Sequence, residues 1–311
     1  MSYRKLGIFV LLALAVVVGI LVYVRDHVIE QPHPAIDITD LSSSYQATEE
    51  IAAAKTARES PDIKPAEVVT TLPVDLPVAA IVFDGLPERP LAARLIDVLA
   101  KHNAPAVFFA EGTNAADQPE TIKLIHDAGQ ELGNYTFVGV TGLDKQPVEE
   151  QLIQICRAQK ALSMFSGSLP QFFRAPRIQY QDEILKSVKA AGIPYAVKEN
   201  AWVPLEVIHQ PEDAAAYAES IPGGSILAIV ISHFVEPKAV DPAKEESIPA
   251  VDMKPTITDD ISVGSEPEAD VADKVDWLLY ALEGRGFQIA PLIQFRKIHY
   301  IPATPLLKEG E

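Results

Sequence analysis

From Val78 onward the chain alternates short apolar runs with amphipathic stretches, the pattern of repeated strand-helix units. Strands are expected at Val78–Phe83, Ala106–Ala110, Glu131–Thr136, Gln171–Arg174, Tyr195–Val197, Ser225–Ile231 and Phe287–Pro291. Helices are expected at Leu91–His102, Glu120–Ala128, Val148–Phe165, Asp182–Ala191, Glu212–Ser220 and Asp270–Leu282, with Gly129, Gly167, Gly192 and Gly284 to Gly286 as stop signals. Such an order predicts an α/β fold, an irregular (β/α)7 barrel of parallel strands, over residues 76–295.

Two stretches depart from this rhythm. Residues 26–75, rich in proline and carrying Ser42-Ser43-Ser44, read as a tether with one helix-like patch from Glu49 to Arg58. Residues 235–270 hold many carboxylates and five prolines and are expected to lack regular structure, either as an acidic insertion or as a lid or partner-binding arm at the barrel mouth. Residues 296–311 form a C-terminal tail.

The N-terminus adds a location. Gly7 to Val24 is uncharged and follows Arg4 and Lys5; its 18 residues, at about 1.5 Å each, match a bilayer's hydrocarbon thickness. Residues 1–25 are thus expected to be a single transmembrane signal anchor, a cleaved secretory signal being the alternative, with the rest of the chain on the extracytoplasmic side of the cytoplasmic membrane. A net charge of −17 argues against nucleic acid as a partner. Cys156 is the only cysteine, so no internal disulfide can form, and its helical setting reads as a buried core thiol.

Polar residues at the C-terminal ends of barrel strands meet at one mouth. Here they are Asp84, Glu111, Asn134 with Tyr135, Arg174 with Arg177, Glu199 with Trp202, and His233, a set suited to a sugar-sized polar pocket with an aromatic wall. Asp84, in PVAAIVFDGLPERP, closes an apolar run as a lone carboxylate.

The segments IVFDGLP, APAVFFAEGT, GQELGNYTF, FFRAP, IPGGSIL and WLLYALEGRGFQIAPL, in this order, resemble the polysaccharide deacetylase family (NodB-homology domain). That resemblance implies a divalent metal such as zinc, held by an aspartate and two histidines, and removal of acetyl groups from N-acetylated sugar polymers. Matched position by position, Asp84 takes the place of the base, Arg174 that of the arginine beside it, and His233 that of the acid. Trp202 resembles the family's pocket tryptophan, and Glu111, Tyr135 and Arg177 complete the expected substrate-binding set. The metal-ligand positions fall on Gly85, Tyr135 and Gly139, so the expected cofactor set is empty.

Magnitudes set the expectation for chemistry. A bound metal brings the pKa of water from about 15.7 to about 7, worth on the order of 12 kcal/mol, whereas a general base supplies roughly 3 to 5 kcal/mol. Whether the chain is an enzyme is therefore open. The expected function is a membrane-anchored deacetylase-like domain of carbohydrate and cell-envelope metabolism, catalytically degenerate and binding a polysaccharide or an envelope-machinery protein. Alternatives are an active divergent deacetylase and a metal-free glycoside-cleaving enzyme using Asp84 and Glu111.

Overall fold

The computed structural model describes residues 45–71, 77–231 and 270–295, and nearly all of them belong to the unit that begins at Ala47. Its sheet strands are β1 (Glu67–Val69), β2 (Val78–Asp84), β3 (Ala106–Ala110), β4 (Glu131–Asn134), β5 (Phe172–Phe173), β6 (Tyr195–Val197), β7 (Ala201–Trp202), β8 (Ser225–Val230) and β9 (Gln288–Ile289). The helices are α1 (Thr48–Arg58), α2 (Arg89–Lys101), α3 (Gly112–Asp117), α4 (Pro119–Asp127), α5 (Val148–Ser166), α6 (Asp182–Ala190), α7 (Pro211–Glu219) and α8 (Val271–Gly284).

Every ladder is parallel, in the order β1-β6-β5-β4-β3-β2-β8-β7, with β9 beside the start of β2. The sheet curls into an irregular barrel of the (β/α)7 type; β1 and β7 end the order, and among the described residues no ladder joins them.

Alternation along the strands separates the two sides of the sheet. Ala79, Ile81 and Phe83 of β2 face outward and pack with Leu95 and Leu99 of α2, Ile122 of α4 and Leu278 of α8. Ala80 and Val82 face inward with Val107, Phe109, Phe172, Val197, Ile226 and Ala228. Both faces being covered, β2, β3 and β8 read as unbroken apolar runs, as buried parallel strands do.

The structure departs from the expected order in several places, and the strand β7 and the short helix α3 are elements beyond those expected. The stretch assigned to the tether contributes α1, whose Ala54 packs with Leu152 and Cys156 of α5, and β1, which pairs with β6 from Glu67↔Tyr195 to Val69↔Val197. An alanine-rich helix with charged flanks gains its stability from a partner surface, here supplied by α5 and α6, with Lys55–Glu149 and Arg58–Glu183 ion pairs at its rim. The expected strand to Thr136 stops at Asn134, because Thr136 takes a left-handed backbone at φ 66°. Cys156 is buried, and burial, with Glu50 nearby, pushes its thiol up to about 12. The expected membrane segment, most of the acidic insertion and the C-terminal tail lie outside the described residues.

Candidate active-site mouth

Inward parity at the strand ends brings three side chains together. Asp84 continues the Ala80–Val82 register of β2, Tyr135 follows the inward Gly133 of β4, and Arg174 follows the inward Phe172 of β5. Asp84 is completely buried and accepts two hydrogen bonds from Arg174, Nε to Oδ1 at 2.6 Å and Nη2 to Oδ2 at 2.9 Å. Nη1 of the same guanidinium donates to Glu199 and, at 3.4 Å, to the carbonyl of Val197.

Burial pushes the Asp84 carboxyl above its ordinary value, against the pull of Arg174. Burial alone would lower Arg174, but its ion pair with Asp84 holds the guanidinium firmly charged. Both Asp84 oxygens are thus engaged by one rigid fork, a sufficient structural reason for a carboxylate at this depth.

Asn134 and Tyr135, grouped together from sequence, separate here. Asn134 points outward: its Nδ2 donates to the Ile155 carbonyl at 2.9 Å and to Gln159 at 3.0 Å, and its Oδ1 accepts from the Thr136 backbone at 2.9 Å. This clamp, with Thr136 Oγ1 accepting from the Val140 amide at 3.2 Å, holds a β-branched residue in a conformation that costs about 1 to 3 kcal/mol. Tyr135 turns inward and is 1% exposed; its hydroxyl has no hydrogen-bond partner among the described residues. Burial, reinforced by Asp84, raises its pKa, so the phenol stays neutral.

Glu111 and Tyr135, expected on the pocket wall, lie within the protein instead. Glu111 is 4% exposed, and its Oε2 accepts from the Leu86 amide at 3.1 Å and from Asn114 Nδ2 at 3.0 Å, tying the β2 and β3 ends together. The expected metal-ligand positions do not fit a divalent cation. Gly85 (φ 101°) and Gly139 (φ 67°) have no side chain and a backbone that side-chain-bearing residues rarely adopt. A Cβ at Gly139 would stand 3.2 Å from Glu111 Cγ, and the buried neutral phenol of Tyr135 is a poor zinc ligand.

Above this floor a cavity of about 350 Å³ opens, lined by Arg174, Arg177, Tyr180, Glu199, Trp202 and Val230 among others. Trp202 is 47% exposed; its carbonyl accepts from the Tyr217 hydroxyl at 2.7 Å, and its ring lies 5.2 Å from the Arg174 guanidinium carbon. Arg177 sits on an exposed loop with a left-handed backbone at φ 51°. Tyr180, which donates to the Val197 carbonyl at 2.6 Å, was not anticipated; it stands six residues past Arg174 in a loop that no periodicity marks. His233 lies outside the described residues. A larger cavity of about 630 Å³ opens beside Glu131 at the start of β4, at the other end of that strand from Asn134, but it gathers no comparable set of charged and aromatic groups.

The polysaccharide deacetylase profile matches residues 72–196. The chitooligosaccharide deacetylase of Bradyrhizobium sp. (strain ANU 289) is 30% identical over 219 residues, covering 69% of this chain and 88% of that protein. The chain belongs to the polysaccharide deacetylase family. A peptidoglycan-N-acetylglucosamine deacetylase of Bacillus cereus is 32% identical over a shorter stretch, 34% of this chain and 38% of the relative. Among solved structures, a family 4 carbohydrate esterase (CE4) pseudoenzyme from Bacillus anthracis shares the fold at a TM-score of 0.54 and 15% identity, covering 73% of this chain and 67% of the other.

Proposed function

We propose that this chain is a non-hydrolysing member of its family that binds a carbohydrate polymer of the cell envelope at the barrel mouth. The observation that carries this reading is the joint replacement at the floor. Gly85, Tyr135 and Gly139 stand at the ligand positions, while Asp84 is engaged at both oxygens by Arg174. What remains around the cavity is binding chemistry: an exposed indole for a sugar face, with guanidinium and carboxylate groups for hydroxyls. The names of the relatives, which act on chitooligosaccharides and peptidoglycan, support a glycan as the ligand. The existence of a pseudoenzyme with this fold gives precedent for loss of chemistry within it.

The apolar segment from Gly7 to Val24, with Arg4 and Lys5 before it, supports a single membrane anchor that holds the domain on the extracytoplasmic side. A metal-free glycosidase built on Asp84 and Glu111 finds no support, since the first is engaged by Arg174 and the second by the Leu86 amide and Asn114. The test is to incubate the full-length protein in detergent with chitin and peptidoglycan oligosaccharides, following binding by calorimetry and acetate release enzymatically. Binding without acetate release is expected; metal-stimulated acetate release that Asp84→Asn abolishes would return the chain to the active deacetylases.

A further inference from the structure

Helix α1 docks on the barrel through a small contact. Among the described residues its apolar side is Ala47, Ile51 and Ala54, set against Leu152 and Cys156 of α5 and against Ala190 and Ala191 at the end of α6. Two alanines and a half-buried isoleucine cover little apolar surface, and a helix of 11 residues does not hold its shape in water without a partner. The helix also starts poorly: Ala47 takes a left-handed backbone at φ 52°, and no side chain caps the N-terminus. Packing along the seam is incomplete, since a cavity of about 600 Å³ lies there, lined by Ala53, Ala57, Cys156 and Met164 among others. Charge at the rim adds to the contact through Lys55 with Glu149, Arg58 with Glu183 and Lys160 with Glu50; all of these but Arg58 keep a third or more of their side-chain surface in water. Past α1 the attachment changes character. Residues 59–65, with Pro61 and Pro65, are exposed except for a half-buried Ile63. Then β1 is held firmly: the amides of Ala66 and Glu67 donate to the carbonyls of Leu185 and Pro194, both at 3.0 Å, and Val69 stands inside the barrel at 1% exposure.

We propose that α1 is a latch, leaving its seat on α5 and α6 as a unit while β1 and the barrel stay folded, with residues 59–65 as the hinge. Cys156 lies beneath it: the thiol is 2% exposed, and its Sγ donates to the Glu50 carbonyl of α1 at 3.9 Å. Opening exposes this thiol and Leu152, and it costs only small apolar contacts and solvent-facing ion pairs, so salt favours it. On the membrane-anchor reading above, release adds residues 47–65 to the tether, and the latch then sets how far the mouth reaches from the membrane. The latch itself does not depend on that reading.

Cys156 is the only cysteine, so thiol labelling reads the opening directly, while the two tryptophans, Trp202 on β7 and Trp277 on α8, report on the barrel. The experiment labels the full-length protein in detergent with a chromogenic disulfide at pH 8, across urea concentrations below the unfolding midpoint and at low and high salt, beside unfolding followed by tryptophan fluorescence. Labelling is expected to rise with urea at under about a third of the slope of global unfolding, because one short helix exposes a small share of the surface. It should be about fivefold faster at high salt, as screening three surface pairs provides. Ala54→Asp, which sets a carboxylate against Leu152 and Cys156, should speed labelling about a hundredfold and leave the tryptophan midpoint in place. Labelling with the urea slope of tryptophan unfolding would overturn the latch at either salt. Labelling that Ala54→Asp does not accelerate would overturn it too, since the path to the thiol would not run beneath α1. A shallow slope with no salt effect would overturn the part given to the ion pairs. Failure of Ala54→Asp to fold would make α1 integral to the barrel and overturn the inference, and the wild-type urea series decides it without any variant.

Discussion

Two charged regions of this molecule invite comparison: the Asp84–Arg174 floor of the mouth and the seam between α2 and α8. At the floor the two side chains are 0% and 3% exposed and share a bidentate contact. Along the seam Arg94 pairs with Asp270 and Asp273, Lys101 with Asp276, and His102 bridges Asp276 and Glu283, at the rim of an apolar contact between the helices. The seam has more pairs, yet the floor matters more to the fold. The solvent-facing pairs of Arg94 and Lys101 keep their water and contribute roughly 0 to 1 kcal/mol each, whereas a buried charge that loses its partner has nowhere to find another. A retained Asp84 therefore needs no catalytic explanation.

The comparison breaks first, if it breaks, at Arg174. Arg174→Met should cost about 3 to 5 kcal/mol in urea unfolding by stranding Asp84, and Asp84→Leu in the same chain should recover much of that loss. A cost below about 1 kcal/mol would mean that the floor behaves like the seam.

Tyr135 tests the floor from its neutral side. Tyr135→Phe should be neutral or stabilising by up to about 1 kcal/mol, because the hydroxyl it removes has no partner among the described residues. Its folded pKa is raised, so its contribution is present below the unfolded value of about 10 and is lost as pH rises above it. Denaturation at pH 9 and 11 should therefore show a steeper alkaline loss in the wild type than in Tyr135→Phe.

The smallest effect belongs to the seam. Burial raises the Asp276 carboxyl, but hydrogen bonds from Lys101 and His102 overcome it and leave the folded pKa lowered. The contribution is thus present above the unfolded value of about 3.9 and lost as pH falls through the folded one. Between pH 5 and pH 2, Asp276→Asn should lose less stability than the wild type, by about 1 kcal/mol or less, since Asp276 keeps a quarter of its side-chain surface in water and Lys101 more than half. A larger difference would give the seam the weight assigned to the floor.

Legibility in the sequence followed burial and length. Strands β2, β3 and β8 could be read directly because both faces are buried and leave an unbroken apolar signal. Strands β1 and β7 stand outside the alternation of strand and helix, β1 within the proline-rich stretch and β7 directly after β6 with no helix between them, and α1 gains meaning only against Leu152 and Cys156. At the site, the resemblance to the family brought Asp84 and Arg174 together. Depth was not legible: a residue after a strand end can line a pocket, as Trp202 does, or be drawn beneath it, as Glu111 is by the Leu86 amide. Tyr180 comes from a loop whose course depends on tertiary contacts, and local pattern is silent there.

At the positions where the family resemblance places metal ligands, this mouth holds a neutral phenol and two glycines, beside a bound pair of charges, and on the function proposed above it takes up no zinc. The most direct test is the zinc content of the full-length protein after dialysis against zinc and removal of the unbound ion, read by mass spectrometry. Well under a tenth of an equivalent per chain is expected from ligand positions that offer no imidazole or carboxylate. About one equivalent, lost on substitution of Asp84, would contradict the claim.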